Sequence, residues 1–137
     1  MDIGVETTPI GDARAILIAV DGELDLSTCE QLKPAADEAV FGRRPLILDL
    51  SRCTFIDSSG LRLVLQIANG LAEGEGAGLS MAIVAGESGT RKMFSLTGID
   101  QKVPLFDSRD EAVAWLGEKD EAVWRFLASG NACDKTK

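Results

Sequence analysis

Apolar residues recur along this chain in two rhythms, one of short runs and one of three-and-four spacing. Residues 3 to 8 and 14 to 20 (RAILIAV) predict two strands, and Gly11-Asp12 between them is a turn signal that suggests an antiparallel pair. Ser27 with Glu30 has the spacing of a capping box, and Leu32, Ala35, Ala36, Ala39 and Val40 form a helical stripe to about residue 41. Pro34 lies inside that stripe, where it removes a hydrogen bond and crowds the carbonyl of Glu30, so a kink or a later start is expected. The run PLILDL at 45 to 50 predicts a central strand covered on both faces. From Ser58 the positions Leu61, Val64, Leu65, Ala68, Leu71 and Ala72 predict a helix to about residue 73, stopped by GEGAG. Leu79 to Ala85 reads as a strand, Ser88 to Thr97 as a helix ended by Gly98, and Val103 to Phe106 as a last short strand. Ser108 with Glu111 is a second capping box, opening a helix with Ala112, Val113 and Leu116 inward. Past Gly117, EKDEAVWRFLASG continues as a helical segment with Val123, Phe126 and Leu127 on one side, and NACDKTK is a polar tail. A hairpin followed by α-β-α-β-α-β-α predicts an α/β fold: a mixed, largely parallel sheet with an N-terminal antiparallel hairpin and helices packed on it.

Composition narrows what such a domain does. With 137 residues, 45% hydrophobic and 26% charged, the chain fits one globular domain with a real core. Its formal charge of −8 repels phosphate backbones and anionic headgroups, so neither nucleic acid nor a membrane surface is an expected partner. No apolar run is long enough to span a bilayer, and MDIGVETTPI lacks the basic start and apolar stretch of a signal peptide, which points to the cytoplasm. Cys29, Cys53 and Cys133 form no CxxC pair and read as reduced thiols. Histidine is absent, which removes Ser-His-Asp and Cys-His nucleophile arrangements and the commonest zinc ligand. No cofactor and no enzyme activity are implied.

Loops after the carboxyl ends of parallel strands are where α/β sheets bind ligands and partners. Here GELDLST follows the second strand and SRCTFIDSSG the third, so parallel neighbours would bring Asp25 and Asp57 to one edge with several hydroxyls. Taken alone, Asp25 is equally a turn acid and Asp57 equally a helix cap, while Ser58 and Ser59 read as capping residues. Asp49 is different: an acid in the middle of an apolar strand needs a buried partner, and the sequence names none. GLAEGEGAGL is a connector, because it lacks the GK[ST] of a phosphate loop and precedes a strand. Trp115, Trp124 and Phe126 are expected to pack on the sheet.

GELDLST at 22 to 28, LILDLSRCTFIDSSGLRLVL at 46 to 65 and SLTGI at 95 to 99 together resemble the STAS domain, within it the bacterial anti-sigma-factor antagonists. The resemblance covers about residues 3 to 117, so 1-117 reads as a STAS domain and 118-137 as a C-terminal helical extension and polar tail. It implies a protein that binds an anti-sigma factor, itself a serine kinase, and so frees a sigma factor for transcription. The kinase would phosphorylate the first serine after the aspartate, here Ser58, and the phosphorylated form would let go until a PP2C-type phosphatase resets it. By the same resemblance Asp25, Asp57, Ser58, Ser59 and Gly60 would form the partner-binding surface.

Other readings compete with this one. Stand-alone STAS subunits also serve lipid-transport complexes, where the helix from Ser58 would dock onto a membrane partner and no kinase is involved. A receiver-like domain phosphorylated on Asp57 would need a metal-holding acidic pair and a lysine ending the last strand, and Asp21, Glu23 and Lys102 fit those places poorly.

Overall fold

The computed structural model describes residues 3–10, 15–42, 44–72, 81–85 and 89–119. β1 (Gly4–Ile10) pairs antiparallel with β2 (Ala15–Leu24), and β2, β3 (Leu46–Ile56), β4 (Met81–Val84) and β5 (Leu105–Phe106) run parallel in the spatial order β1-β2-β3-β4-β5. The crossovers are α1 (Cys29–Phe41), α2 (Ser58–Ala72) and α3 (Gly89–Thr97), the last followed by a 3-10 turn at Ile99–Gln101. A fourth helix, α4 (Arg109–Lys119), follows β5. This is the expected mixed sheet with an antiparallel hairpin, the strand order following the chain.

Every crossover steps the same way along the sheet, and such connections are right-handed, so α1, α2 and α3 are carried to one face. In β2, Ile16, Ile18 and Val20 reach a large core with Leu32 of α1, Val64 of α2 and Phe94 of α3, while Ala15 and Leu17 reach a smaller one with Ala112 and Leu116 of α4. In β3, Leu46 and Leu48 face the first core and Ile47 the second. That double coverage is why the central run shows no polar alternation. Each of the buried Leu, Ile, Val and Phe side chains among these contributes roughly 1.5 to 3 kcal/mol relative to exposure. Trp115 lies on the α4 side, half-buried, with its ring centroid 5.8 Å from that of Phe106.

β3 runs six residues beyond the expected strand, through a segment that reads as loop. Its register against β2 explains why. Ala19 pairs with Asp49 but Asp21 with Arg52, and Gly22 pairs with Cys53 but Glu23 with Phe55, so β3 carries one extra residue at each of two bulges. Leu50, Cys53 and Ile56 therefore all reach the large core at a spacing of three, where strand alternation would have spaced them by two. Gly22 adopts φ 125° beside the second bulge, a backbone angle that side chains with a Cβ rarely take.

Two local expectations change. The Ser27–Glu30 capping box does not form, because Ser27 bonds to Asp25 instead, and α1 is entered from Thr28 with no side-chain cap bond. Pro34 sits inside a continuous α1 without delaying its start; Pro34 and Glu30 are both exposed, so water can satisfy the carbonyl left without a helical partner. The second capping box forms in part: the N–H of Glu111 donates to Ser108 Oγ at 3.2 Å, but the Glu111 carboxylate accepts the N–H of Asp107, one residue before the cap, at 3.2 Å. The Gly11-Asp12 turn, the GEGAG connector, and the tail from residue 120, with Trp124, Phe126 and Cys133, lie outside the described residues.

The partner that Asp49 needs comes from 60 residues away. Asp49 follows Ile47 on the α4 face and is almost fully buried; Oδ2 accepts a hydrogen bond from Arg109 Nε, the first residue of α4, and Oδ1 accepts the N–H of Ser51 at 2.9 Å. Burial pushes this carboxyl up, but the bonds from Ser51 and the Arg109 guanidinium outweigh it and hold the group below the usual carboxylate range. Its contribution to stability is therefore complete above the unfolded value near ~3.9 and is lost as pH falls through the lower folded one. Arg109 is half-exposed, which discounts the pair, so Arg109→Ala should cost about 1 to 3 kcal/mol at pH 7. Urea unfolding checks the cost, and the acid transition followed by circular dichroism should move to higher pH in the variant.

Candidate functional site

The carboxyl ends of β2 and β3 lie side by side, with Leu24 opposite Ile56, and this brings both expected acids to one edge of the sheet. Asp57 follows Ile56 directly and its N–H donates to the Leu24 carbonyl at 3.2 Å. Its Oδ1 accepts the N–H groups of Ser59 at 2.8 Å and Gly60 at 3.1 Å, as an N-cap residue does for the orphan donors of a first helical turn. Its Oδ2 accepts the N–H of Leu26 at 3.3 Å. One carboxylate thus ties the start of α2 to the turn between β2 and α1.

Asp25 organises that turn. Its Oδ1 accepts the Ser27 hydroxyl at 2.7 Å, the Ser27 N–H at 3.0 Å and the Thr28 N–H at 3.1 Å. The Ser27 hydroxyl bond is the chief reason the Asp25 carboxyl is held below its ordinary range; partial desolvation works against it, and Thr28 adds to the lowering. Thr28 is buried, donating its hydroxyl to the Glu23 carbonyl at 2.6 Å and accepting the Asp25 N–H at 2.9 Å. The Cys29 thiol beside it is pushed up by burial first, then by the charges of Asp57 and Asp25.

Ser58 is left standing on this braced platform. It is the first residue of α2, it is exposed, and its hydroxyl makes no hydrogen bond among the described residues. Ser59, one position on, is half-buried with its N–H held by Asp57. Gly60 is buried, and a Cβ there would lie 2.6 Å from Ile56 Cγ1 and 2.7 Å from the Leu24 carbonyl oxygen. The first turn of α2 therefore rests on the ends of β2 and β3 more closely than any side chain allows, which sequence reasoning missed.

Two exposed apolar side chains were also missed. Leu26, whose N–H is bonded to Asp57, is 74% exposed, and Phe55, two residues before Asp57, is 48% exposed. The available signal was a large apolar residue in each of two segments that otherwise read as polar loop. Acids, hydroxyls and exposed apolar side chains thus occur together at the carboxyl ends of β2 and β3. The receiver-like reading fares badly here, since Asp57 is engaged as a cap and Asp21 pairs with Arg52 at 3.8 Å.

A protein-family model described as Mlab, STAS domain, matches residues 11–106. The chain belongs to the STAS domain family. Among its relatives is an anti-sigma F factor antagonist of Paenibacillus polymyxa, 25% identical over 103 residues, spanning 74% of this chain and 86% of that protein. Among solved structures, an anti-sigma factor antagonist from Mycobacterium paratuberculosis is similar with a TM-score of 0.73 and 28% identity, over 83% of this chain and 93% of the other. The Bacillus cell fate determinant SpoIIAA in its phosphorylated form is similar with a TM-score of 0.59 and 25% identity, over 83% of this STAS chain and 98% of the other. Its unphosphorylated form gives 0.61 and 23% identity, over 86% and 99%. Among the described residues of the STAS chain no helix is long and apolar enough to cross a membrane.

The bonding pattern sets an order of sensitivity in this STAS domain. Asp57→Ala should cost about 1 to 2 kcal/mol by uncapping α2, and Asp57→Asn much less, since asparagine caps as well. Gly60→Ala should cost about 1 to 3 kcal/mol, because backbone must move to admit the methyl group. Urea unfolding of the three variants ranks them, and a Gly60→Ala variant as stable as wild type would refute the close-approach account.

Proposed function

We propose that this STAS protein is an anti-sigma factor antagonist: it binds an anti-sigma factor that is itself a serine kinase, is phosphorylated by it at Ser58, and is returned to the binding form by a PP2C-type phosphatase. The observation that carries the reading is the exposed hydroxyl of Ser58 at the start of α2, at strand ends where Leu26 and Phe55 are also exposed and two acids brace the turns. The relatives named as anti-sigma factor antagonists support the class of function. In this reading Asp25, Asp57, Ser59 and Gly60 serve the partner surface by shaping it, while Ser58, Leu26 and Phe55 meet the partner.

The electrostatics favour a switch that leaves the fold alone. A phosphate on Ser58 sits at a helix N-terminus, where the positive end of the dipole favours an anion by roughly 0.3 to 1 kcal/mol. At an interface the same added charge of about −1.5 to −2 must be desolvated, and an acidic group of a partner brought against it costs on the order of several kcal/mol. Since about 1.4 kcal/mol is tenfold in affinity, binding should fall by two or more decades. That SpoIIAA has solved structures in both forms, each with the same fold as this chain, fits a change of surface charge without a change of fold.

The matching family model carries the Mlab description, which gives a second reading its footing: a stand-alone STAS subunit of a lipid-transport complex, with α2 docked on a membrane partner and Ser58 unmodified. Incubation with the cognate kinase and ATP separates the two, because the first reading requires a gain of about 80 Da, the mass of a phosphoryl group, on the peptide containing Ser58. Ser58→Ala should abolish that gain and keep the kinase bound. Ser58→Asp and encoded phosphoserine should weaken binding, at least a hundredfold for the phosphoserine, with circular dichroism unchanged. Leu26→Ala should weaken binding about tenfold, as loss of an exposed apolar contact does. No mass gain at Ser58 together with recovery of a permease would replace the first reading by the second.

A further inference from the structure

We infer that Arg62 clamps the phosphate of phosphorylated Ser58, an inference that rests on the proposed modification of that serine and names the residue that receives it. The observation is one of placement. Arg62 is the only charged side chain in the 15-residue helix α2, and it lies four residues after Ser58. Residues four apart on a helix are neighbours, with Cβ atoms about 5 to 6 Å apart. Helical side chains also lean toward the N-terminus, so an arginine at the later position reaches back over the earlier one. An anion N-terminal to a cation at this spacing is the favourable orientation. Both residues are exposed, and among the described residues Arg62 takes part in no ion pair. Its guanidinium is therefore free to meet a new anion without giving up an existing one.

A phosphoserine offers three acceptor oxygens, and a guanidinium presents a planar fork of donors that matches them. The clamp does two things at once. It holds the phosphate over the solvent-facing side of α2, away from the Asp57 carboxylate that caps the helix, and it withdraws the one cation that α2 offers to an acidic group on a partner. Phosphorylation then changes the surface by more than the added charge. It also shifts the phosphate toward its dianionic form near neutral pH, because a bound guanidinium favours the more charged form.

The test uses the full chain with phosphoserine encoded at position 58, so that it depends on no kinase, and reads the second ionisation of the phosphate by 31P NMR titration. Against a free phosphoserine midpoint of about 6, the wild-type chain should titrate lower, and Arg62→Gln should raise the midpoint by about 0.2 to 0.4 pH unit. Arg62→Lys should recover part of the difference. Arg52→Gln, the same change in net charge made in the cleft beside α4, should leave the midpoint where it was. Equal midpoints in wild type and Arg62→Gln, or an equal shift in Arg52→Gln, would overturn the clamp while leaving the kinase reaction at Ser58 untouched. Failure of the kinase to modify Ser58 would overturn the functional reading and leave the titration standing.

Discussion

The carboxylate of Asp57 is the joint on which the surface depends. Its two oxygens hold two N–H groups of the first turn of α2 and one N–H of the turn between β2 and α1. For it to stand there, β3 must end level with β2, and the bulges arrange this. Counted from the pairing of Ile16 with Leu46, a regular strand would set Thr54 opposite Leu24; the two extra residues set Ile56 there. Gly60 then lets α2 settle onto the Leu24 carbonyl, and Leu61 and Val64 enter the large core. Strand irregularity, cap and glycine are thus three parts of one placement, that of an exposed hydroxyl at Ser58.

Much of this frame was legible in the sequence because it rests on local periodicity. The apolar run of the central strand and the stripe from Leu61 to Leu71 fix strand and helix without reference to the rest of the chain, and the repeating β-α order settles the topology. What was not legible depended on distance or on broken period. SRCTFI reads as loop since its buried residues recur every third position, a spacing that makes sense only once the bulges against β2 are known. The partner of Asp49 is an arginine 60 residues later, which no local pattern connects to it. Ser27 and Glu30 have capping-box spacing, yet the acid at Asp25 captures the serine first and the buried Thr28 turns back to the strand. At the site, the acids and serines were found from their place after strand ends, while Leu26 and Phe55 were hidden by polar neighbours.

The distribution of charge follows the same division between scaffold and surface. Among the described residues, Arg109 pairs with Asp49 to bind α4 to β3, and Arg91 donates to both the Ala85 carbonyl and Asp107 at 2.7 Å, tying the end of β4 to the turn before α4. Arg52 and Asp21 approach at 3.8 Å across the bulged strands, exposed enough to contribute little. Two arginines are thus committed to joining segments in a chain of net charge −8, and α2 presents a single cation on the helix that Asp57 caps.

Rigidity decides where an added charge must act. The start of α2 is fixed by the cap, by the contact of Gly60 with strand ends and by Leu61 in the core; the adjoining turn is fixed by the bonds to Asp25 and the buried hydroxyl of Thr28. A charge placed on Ser58 finds no soft backbone coordinate in this assembly along which to relax. Within the molecule it meets a helix terminus that tolerates an anion, so its stability cost is small. The unfavourable part of its energy is spent on whatever approaches the surface, where desolvation and like charge are felt in full. A platform braced this tightly would convert a covalent change at one hydroxyl into a change of affinity, because its backbone cannot yield to the added charge.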